Sequence, residues 1–148
     1  MTYHTVSGWW KDTGRPEDIL EANQLVLNDL KTSIKGKVED GVTVYGNVEI
    51  AEGTVVRRGA SIRGPVAIGE GSEIGEDAYV GPFTSIGNRV KVLGAKIENS
   101  IVLDGAIIDC QERIVDSIIG KNSKIVSNLN NRPSSRRFVI GESTFVGL

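Results

Sequence analysis

The 148-residue chain, with 39% hydrophobic and 24% charged residues, suits one ordinary globular domain rather than a disordered or membrane-spanning polypeptide. Its net charge of -2 leaves no electrostatic footprint for nucleic acid or an anionic membrane, and a single cysteine, Cys110, and a single histidine, His4, exclude a disulfide framework and a cysteine or histidine zinc cluster. Glycine supplies 18 residues while aromatics make up only 5%, which predicts a thin interior filled by aliphatic side chains.

The first 35 residues carry no repeat. Tyr3, Trp9 and Trp10 fall within the first ten positions, as a surface built for a partner would place them. Pro16, Glu17 and Asp18 form a helix start, with proline in the first turn and acids at the positive end of the helix dipole. Ile19, Leu20, Ala22, Leu25, Val26, Leu27 and Leu30 then spread apolar side chains over a wide arc, so this helix expects neighbours on more than one side.

From Val38 an aliphatic residue recurs every six positions: Val38, Val44, Ile50, Val56, Ile62, Ile68, Ile74, Val80, Ile86 and Val92. Four places after each of the first nine stands a compact residue: Val42, Val48, Thr54, Ala60, Val66, Ser72, Ala78, Thr84 and Val90. A compact residue and the aliphatic two places on share one side of a short strand, as Thr54 and Val56 do with Val55 outward. Glycine and proline gather just after the aliphatics, as in Gly64-Pro65 and Gly81-Pro82, where the chain must turn. Three strands and three corners make an 18-residue coil. Stacked coils would align Val38, Val56, Ile74 and Val92 in one column, Val44, Ile62 and Val80 in a second, and Ile50, Ile68 and Ile86 in a third. A period of six is not a multiple of 3.6, so a helical reading of this segment fails.

After Val92 the register changes. Lys96 to Val102 and Arg113 to Ile119 read as cognate half-coils, with Ser100 and Ser117 as compact residues and an inserted residue expected in the corner Asp109 to Glu112. Asn128 to Arg137 reads as an excursion loop, and Phe138 to Leu148 as a last strand.

The hexad pattern resembles the left-handed parallel β-helix family; the hand is implied by that resemblance, since ordinary parallel crossovers are right-handed. The expected fold is an all-β solenoid of roughly five to six coils preceded by one N-terminal α-helix. Gly8 to Leu30, with its Trp-x-Asp-Thr-Gly element, together with Ile62-Arg63-Gly64-Pro65-Val66, Tyr79-Val80-Gly81-Pro82, Thr84-Ser85-Ile86-Gly87 and Val146-Gly147-Leu148, is similar to the C-terminal part of long-form glucose-1-phosphate thymidylyltransferases. That resemblance implies residues 1–35 as the end of a catalytic domain with a linker helix and 36–148 as the β-helix domain. The parent reaction it implies is attack of glucose-1-phosphate on dTTP, giving dTDP-glucose and pyrophosphate with Mg²⁺ as cofactor. Asp12 then matches a metal-binding carboxylate, and Trp10, Thr13 and Gly14 the substrate-binding wall beside it. The glycine-rich nucleotide loop has no counterpart in this sequence, so the chain alone is expected to hold no catalytic residue and to be inactive, with oligomerisation and regulation as its roles.

The main rival is a hexapeptide acyltransferase, which requires a histidine base at a coil edge, and His4 lies before the coils. A third reading is a free-standing structural scaffold. Flat faces with outward Val55, Tyr79 and Phe83 suit packing against identical copies, and the expectation is a homo-oligomer, a trimer, as well as contact with the missing catalytic domain. With no apolar run of membrane-spanning length and no signal pattern, a cytoplasmic location is expected. Arg57, Arg58, Arg63 and Lys91 read as corner charges paired with acids, with a phosphate-bearing effector as the alternative. Arg132, Arg136 and Arg137 read as loop charges, and Cys110 as a small corner or core residue.

Overall fold

A computed structural model describes residues 15–127, 135–136, 139–142 and 145–147. Among the described residues one helix, Pro16–Asn28 (α1), precedes a left-handed parallel β-helix whose strands are two or three residues long. Successive strands go to successive sheets, so each coil lays one strand on each of three faces. The first sheet comprises Ser33–Ile34, Val48–Ile50, Val66–Ile68, Thr84–Ile86, Ile101–Val102, Ile118–Ile119 and Val139–Ile140. The second comprises Lys37–Val38, Val55–Val56, Glu73–Ile74, Lys91–Leu93, Ile107–Asp109, Lys124–Val126 and Phe145–Gly147. The third comprises Thr43–Tyr45, Ser61–Arg63, Tyr79–Val80, Lys96–Glu98, Arg113–Val115 and Ser135–Arg136.

All three expected columns form. Val38, Val56, Ile74 and Val92 stand in register and continue through Ile108 and Ile125. Val44, Ile62 and Val80 continue through Ile97 and Ile114, and Ile50, Ile68 and Ile86 through Val102 and Ile119. From the second coil on, these side chains make one continuous buried core with the compact residues Val48, Ala60, Val66, Ala78 and Val90. β-Branched aliphatics suit both the strand backbone and this narrow interior, where no ring would fit.

Three details of the sequence reading are corrected. The stack starts one strand earlier, because Ser33–Ile34 pairs with Glu49–Ile50. The register change is not an insertion at Asp109 to Glu112, where Ile108 to Ile114 is an ordinary six-residue step. Instead the steps Val92 to Ile97, Ile97 to Val102 and Ile114 to Ile119 are each five residues long. Each short step turns on a left-handed residue two places after the aliphatic: Gly94 (φ 85), Asn99 (φ 47) and Asp116 (φ 52). Gly and Asn are the types that tolerate left-handed backbone best. Finally, within the supposed excursion loop Ser135–Arg136 is a strand beside Arg113–Ile114, and the supposed last strand is two, Val139–Ile140 and Phe145–Gly147, on different sheets. The remainder of 128–138 lies outside the described residues.

Polar interior positions form their own ladder. The Thr54 hydroxyl donates to the Gly69 carbonyl and accepts from the Ser72 amide, and the Ser72 hydroxyl donates to Gly87 O at 2.8 Å while accepting from Val90 N at 3.1 Å. Ser117 N donates to Ser100 Oγ at 3.1 Å in the same manner one corner earlier. Buried hydroxyls thus satisfy backbone groups that the tight corners would otherwise strand. Among the described residues, Thr84 Oγ1 is the buried side-chain polar atom without a partner. Glu112 is buried at the position where earlier coils carry Ala60, Ala78 and Ala95, and its carbonyl takes the Lys96 amide at 3.1 Å.

Candidate functional site

The structural features most distinct from the repeat lie where α1 crosses the first sheet. Ile101 and Ile118 each precede a core residue, Val102 and Ile119, so these strands are apolar on both faces. Their outward side chains, with Leu103, form a second buried cluster with Ile19 and Leu20 of α1. Polar contacts fix the position of the helix along the stack. Asn23 Nδ2 donates to the Phe83 carbonyl at 3.2 Å in a part-buried contact, and Ser85 Oγ donates to Asn23 Oδ1 at 2.7 Å in a buried one. Gln24 Nε2 donates to Asn99 Oδ1 at 2.8 Å, and Asn99 Nδ2 to Asp116 Oδ1 at 2.7 Å.

The residues receiving α1 are the corner residues between the third and first sheets. Phe83 (φ 65), Asn99 and Asp116 follow one another up this corner, and Phe83 is a bulky side chain in a region that L-residues rarely adopt. Its amide donates to Pro65 O at 2.8 Å and its carbonyl is held by Asn23, so neighbours on both sides fix the strained corner. The expectation of a helix with neighbours on more than one side is met on one side: Ile19, Leu20, Asn23 and Leu27 are buried, while Leu25 and Val26 are exposed.

Of the expected corner charges, Arg57 pairs with acids, whereas Arg63 is a strand residue whose contact is an aromatic ring. Arg57 bridges two coils, with Nε 3.0 Å from Glu73 Oε2 and Nη1 3.2 Å from Glu39 Oε2. These hydrogen bonds, that to Glu73 first, raise the Arg57 pKa, and the Arg58 amide at 2.9 Å, before the Arg57 contacts, holds Glu39 below the usual carboxylate value. Arg57 is therefore committed to its acids rather than open to a phosphate. Arg63 lies over the Tyr45 ring, 5.4 Å from its centroid. On the same face Tyr79 OH and Arg113 Nη2 share the Glu98 carboxylate, at 3.1 and 2.7 Å, and burial followed by this hydrogen bond pushes the Tyr79 phenol up. Lys91 stands beside Glu73 in the strand register. Cys110 is buried.

Trp10, Asp12, Thr13 and Gly14, together with His4, Trp9, Arg132 and Arg137, lie outside the described residues. Among the described residues no three His, Cys, Asp or Glu side chains gather as a metal site, and no helix is long and apolar enough to cross a membrane. Sequence reading missed Asn23, Gln24, Asn99 and Asp116 as a docking set. The available signals were a lone amide inside the apolar arc of the helix and the repeated polar-Ser pairs Asn99-Ser100 and Asp116-Ser117.

The family model described as the GMPPB C-terminal domain matches residues 62–146. The low-salt glycan biosynthesis nucleotidyltransferase Agl11 of Haloferax volcanii is 49% identical over 141 residues, covering 95% of this chain and 40% of that protein. Glucose-1-phosphate thymidylyltransferase of Streptomyces antibioticus is 41% identical over 141 residues, covering 95% and 39%. A bifunctional sugar-1-phosphate nucleotidylyltransferase/acetyltransferase of Sulfurisphaera tokodaii is 37% identical over 118 residues, covering 78% and 29%. The chain spans about two fifths or less of the length of these curated relatives.

Proposed function

Since the chain belongs to the GMPPB C-terminal domain family, we propose that it is the C-terminal β-helix part of a sugar-1-phosphate nucleotidylyltransferase that makes dTDP-glucose from glucose-1-phosphate and dTTP. The residues up to the end of α1 are then the end of the catalytic domain with its linker helix, and the β-helix domain begins at the strand Ser33–Ile34. The observation that carries this reading is 41% identity across 95% of the chain to a protein named for that activity, including the Trp-Lys-Asp-Thr-Gly segment at 10–14. In the longer enzyme Asp12 serves as a carboxylate ligand of Mg²⁺, and Trp10, Thr13 and Gly14 line the substrate beside it. Magnesium held there would neutralise charge gathering on the reacting phosphates. The β-helix itself serves assembly, as a trimer packed side by side through its flat faces in the cytoplasm.

The acyltransferase reading has one favouring observation, the acetyltransferase named in the Sulfurisphaera relative. Against it stands the lack of any histidine in the coils to deprotonate an acceptor. Two assays on this chain separate the readings. Magnesium-dependent pyrophosphate release from dTTP and glucose-1-phosphate should be blank, and so should coenzyme A thiol release with amino-sugar acceptors. Turnover in the first would show that the chain carries its own catalytic site; turnover in the second would replace the nucleotidylyltransferase reading with acyl transfer.

A further inference from the structure

The five-residue steps stack unequal corners on one another. On the edge between the second and third sheets, Ile74 to Val80 and Ile108 to Ile114 take six residues, whereas Val92 to Ile97 between them takes five. Gly94 turns this short corner without a side chain, and a Cβ there would press on the Gln111 amide. A hollow of about 410 Å³ opens at that level, lined by Leu93 and Gly94, by Glu76 of the coil before and by Asp109 and Gln111 of the coil after. The other two short corners, carrying Asn99 and Asp116, lie on the edge that receives α1, where Gln24 of the helix is bonded to Asn99. Short corners serve docking on that edge, and among the described residues no helix or strand lies over the short corner at Gly94.

We propose that this hollow binds a monosaccharide unit that carries no phosphate. Its size falls within the range of small-molecule sites, roughly 300–1,000 Å³. The lining supplies both kinds of group that a sugar hydroxyl needs, since a hydroxyl donates and accepts at once. The Glu76 and Asp109 carboxylates accept and the Gln111 amide does both, while Arg57, whose Nε and Nη1 hold Glu73 and Glu39, has Nη2 left to donate. Among the described residues the side chains of Glu76, Asp109 and Gln111 are tied to no other group, so all three are available to a ligand. Leu93 and the bare backbone of Gly75 and Gly94 give the C–H face of a sugar ring an apolar floor. Charge then selects among sugars. The carboxylates of Glu73, Glu76 and Asp109 face a single guanidinium, that of Arg57, so a phosphate meets net repulsion where a hydroxyl does not. The preference is the reverse of what nucleotidyl transfer requires, and the site holds whether or not a catalytic domain precedes it.

Saturation-transfer difference NMR on this chain tests the proposal, with D-glucose, D-galactose and D-mannose as probes and glucose-1-phosphate as the charged control. At least one free sugar should receive saturation, with an affinity of about millimolar for so small a ligand, and glucose-1-phosphate should bind at least about fivefold more weakly. Gln111→Ala and Asp109→Ala should each weaken the sugar about tenfold with the circular dichroism spectrum unchanged, because both side chains are exposed and their loss leaves the core intact. Glu52→Ala, at an exposed corner outside the hollow, should leave binding as it is. Glu76→Gln keeps the shape but removes one negative charge, and should narrow the gap between the free sugar and glucose-1-phosphate. Silence of all three free sugars would overturn the proposal, as would glucose-1-phosphate binding as well as they do, a gap that Glu76→Gln leaves unchanged, or equal binding by the parent chain and the folded Gln111→Ala and Asp109→Ala variants.

Discussion

Truncating Ile74 to alanine should lower the free energy of unfolding by about 2–5 kcal/mol, because it removes a fully buried side chain and leaves a cavity in a close-packed column. Ile74 stands between Val56 and Val92 in register, and both are themselves buried, so neither can move into the gap without pulling its own strand off the sheet. Total stabilities of small domains are only about 5–15 kcal/mol, so this one change removes a large part of the whole. Urea unfolding followed by circular dichroism measures it. A loss below about 1 kcal/mol would mean that the columns are loosely packed and that the β-helix interior is not the main source of stability.

The second large effect belongs to the helix. Asn23→Leu keeps the approximate volume but strips the Phe83 carbonyl and the Ser85 hydroxyl of their partners inside a buried contact. An unsatisfied buried group costs about 1–3 kcal/mol, and the buried Ser85 hydroxyl becomes one, with the part-buried Phe83 carbonyl adding less. The loss should fall on α1 and the Phe83 corner, seen as faster amide exchange in 16–28 and 83–86 with the later coils unaffected. Leu25→Ala, on the exposed face of the same helix, should change stability by no more than about 0.5 kcal/mol. Equal effects from the two substitutions would show that α1 is held by its general hydrophobicity rather than by the amide contacts.

These contrasts also explain what could be read from the sequence. The columns were legible because each core position is β-branched and the period is short enough to repeat ten times before the first five-residue step. The five-residue steps were not, because shortening a corner by one residue at Gly94 and again at Asn99 breaks the six-residue count without showing which corner changed. Only the backbone shows that Gly94, Asn99 and Asp116 do the turning. The docking of α1 had a signal that hexad counting hid: Ile101-Val102 and Ile118-Ile119 are adjacent aliphatic pairs, and a strand with both faces apolar must be covered on both. The residues with the most specific chemical resemblance, Trp10 to Gly14, precede the described part of the chain, so the physical account reaches the scaffold and the helix that leads into it.

The scaffold shapes how the proposed enzyme would be put together. Helix α1 runs along the first sheet from beside the later coils to the first coil, so that sheet is covered on its outer side. Two faces remain for side-by-side packing, one carrying the Arg57 bridge and the other Tyr45, Arg63 and Tyr79.

The most direct test of the nucleotidylyltransferase reading is the coding DNA immediately upstream of Met1. The account predicts a continuous reading frame that carries a glycine-rich nucleotide loop ending in Thr-Arg together with the first metal-binding carboxylate. A stop codon directly upstream would contradict it and leave a free-standing scaffold.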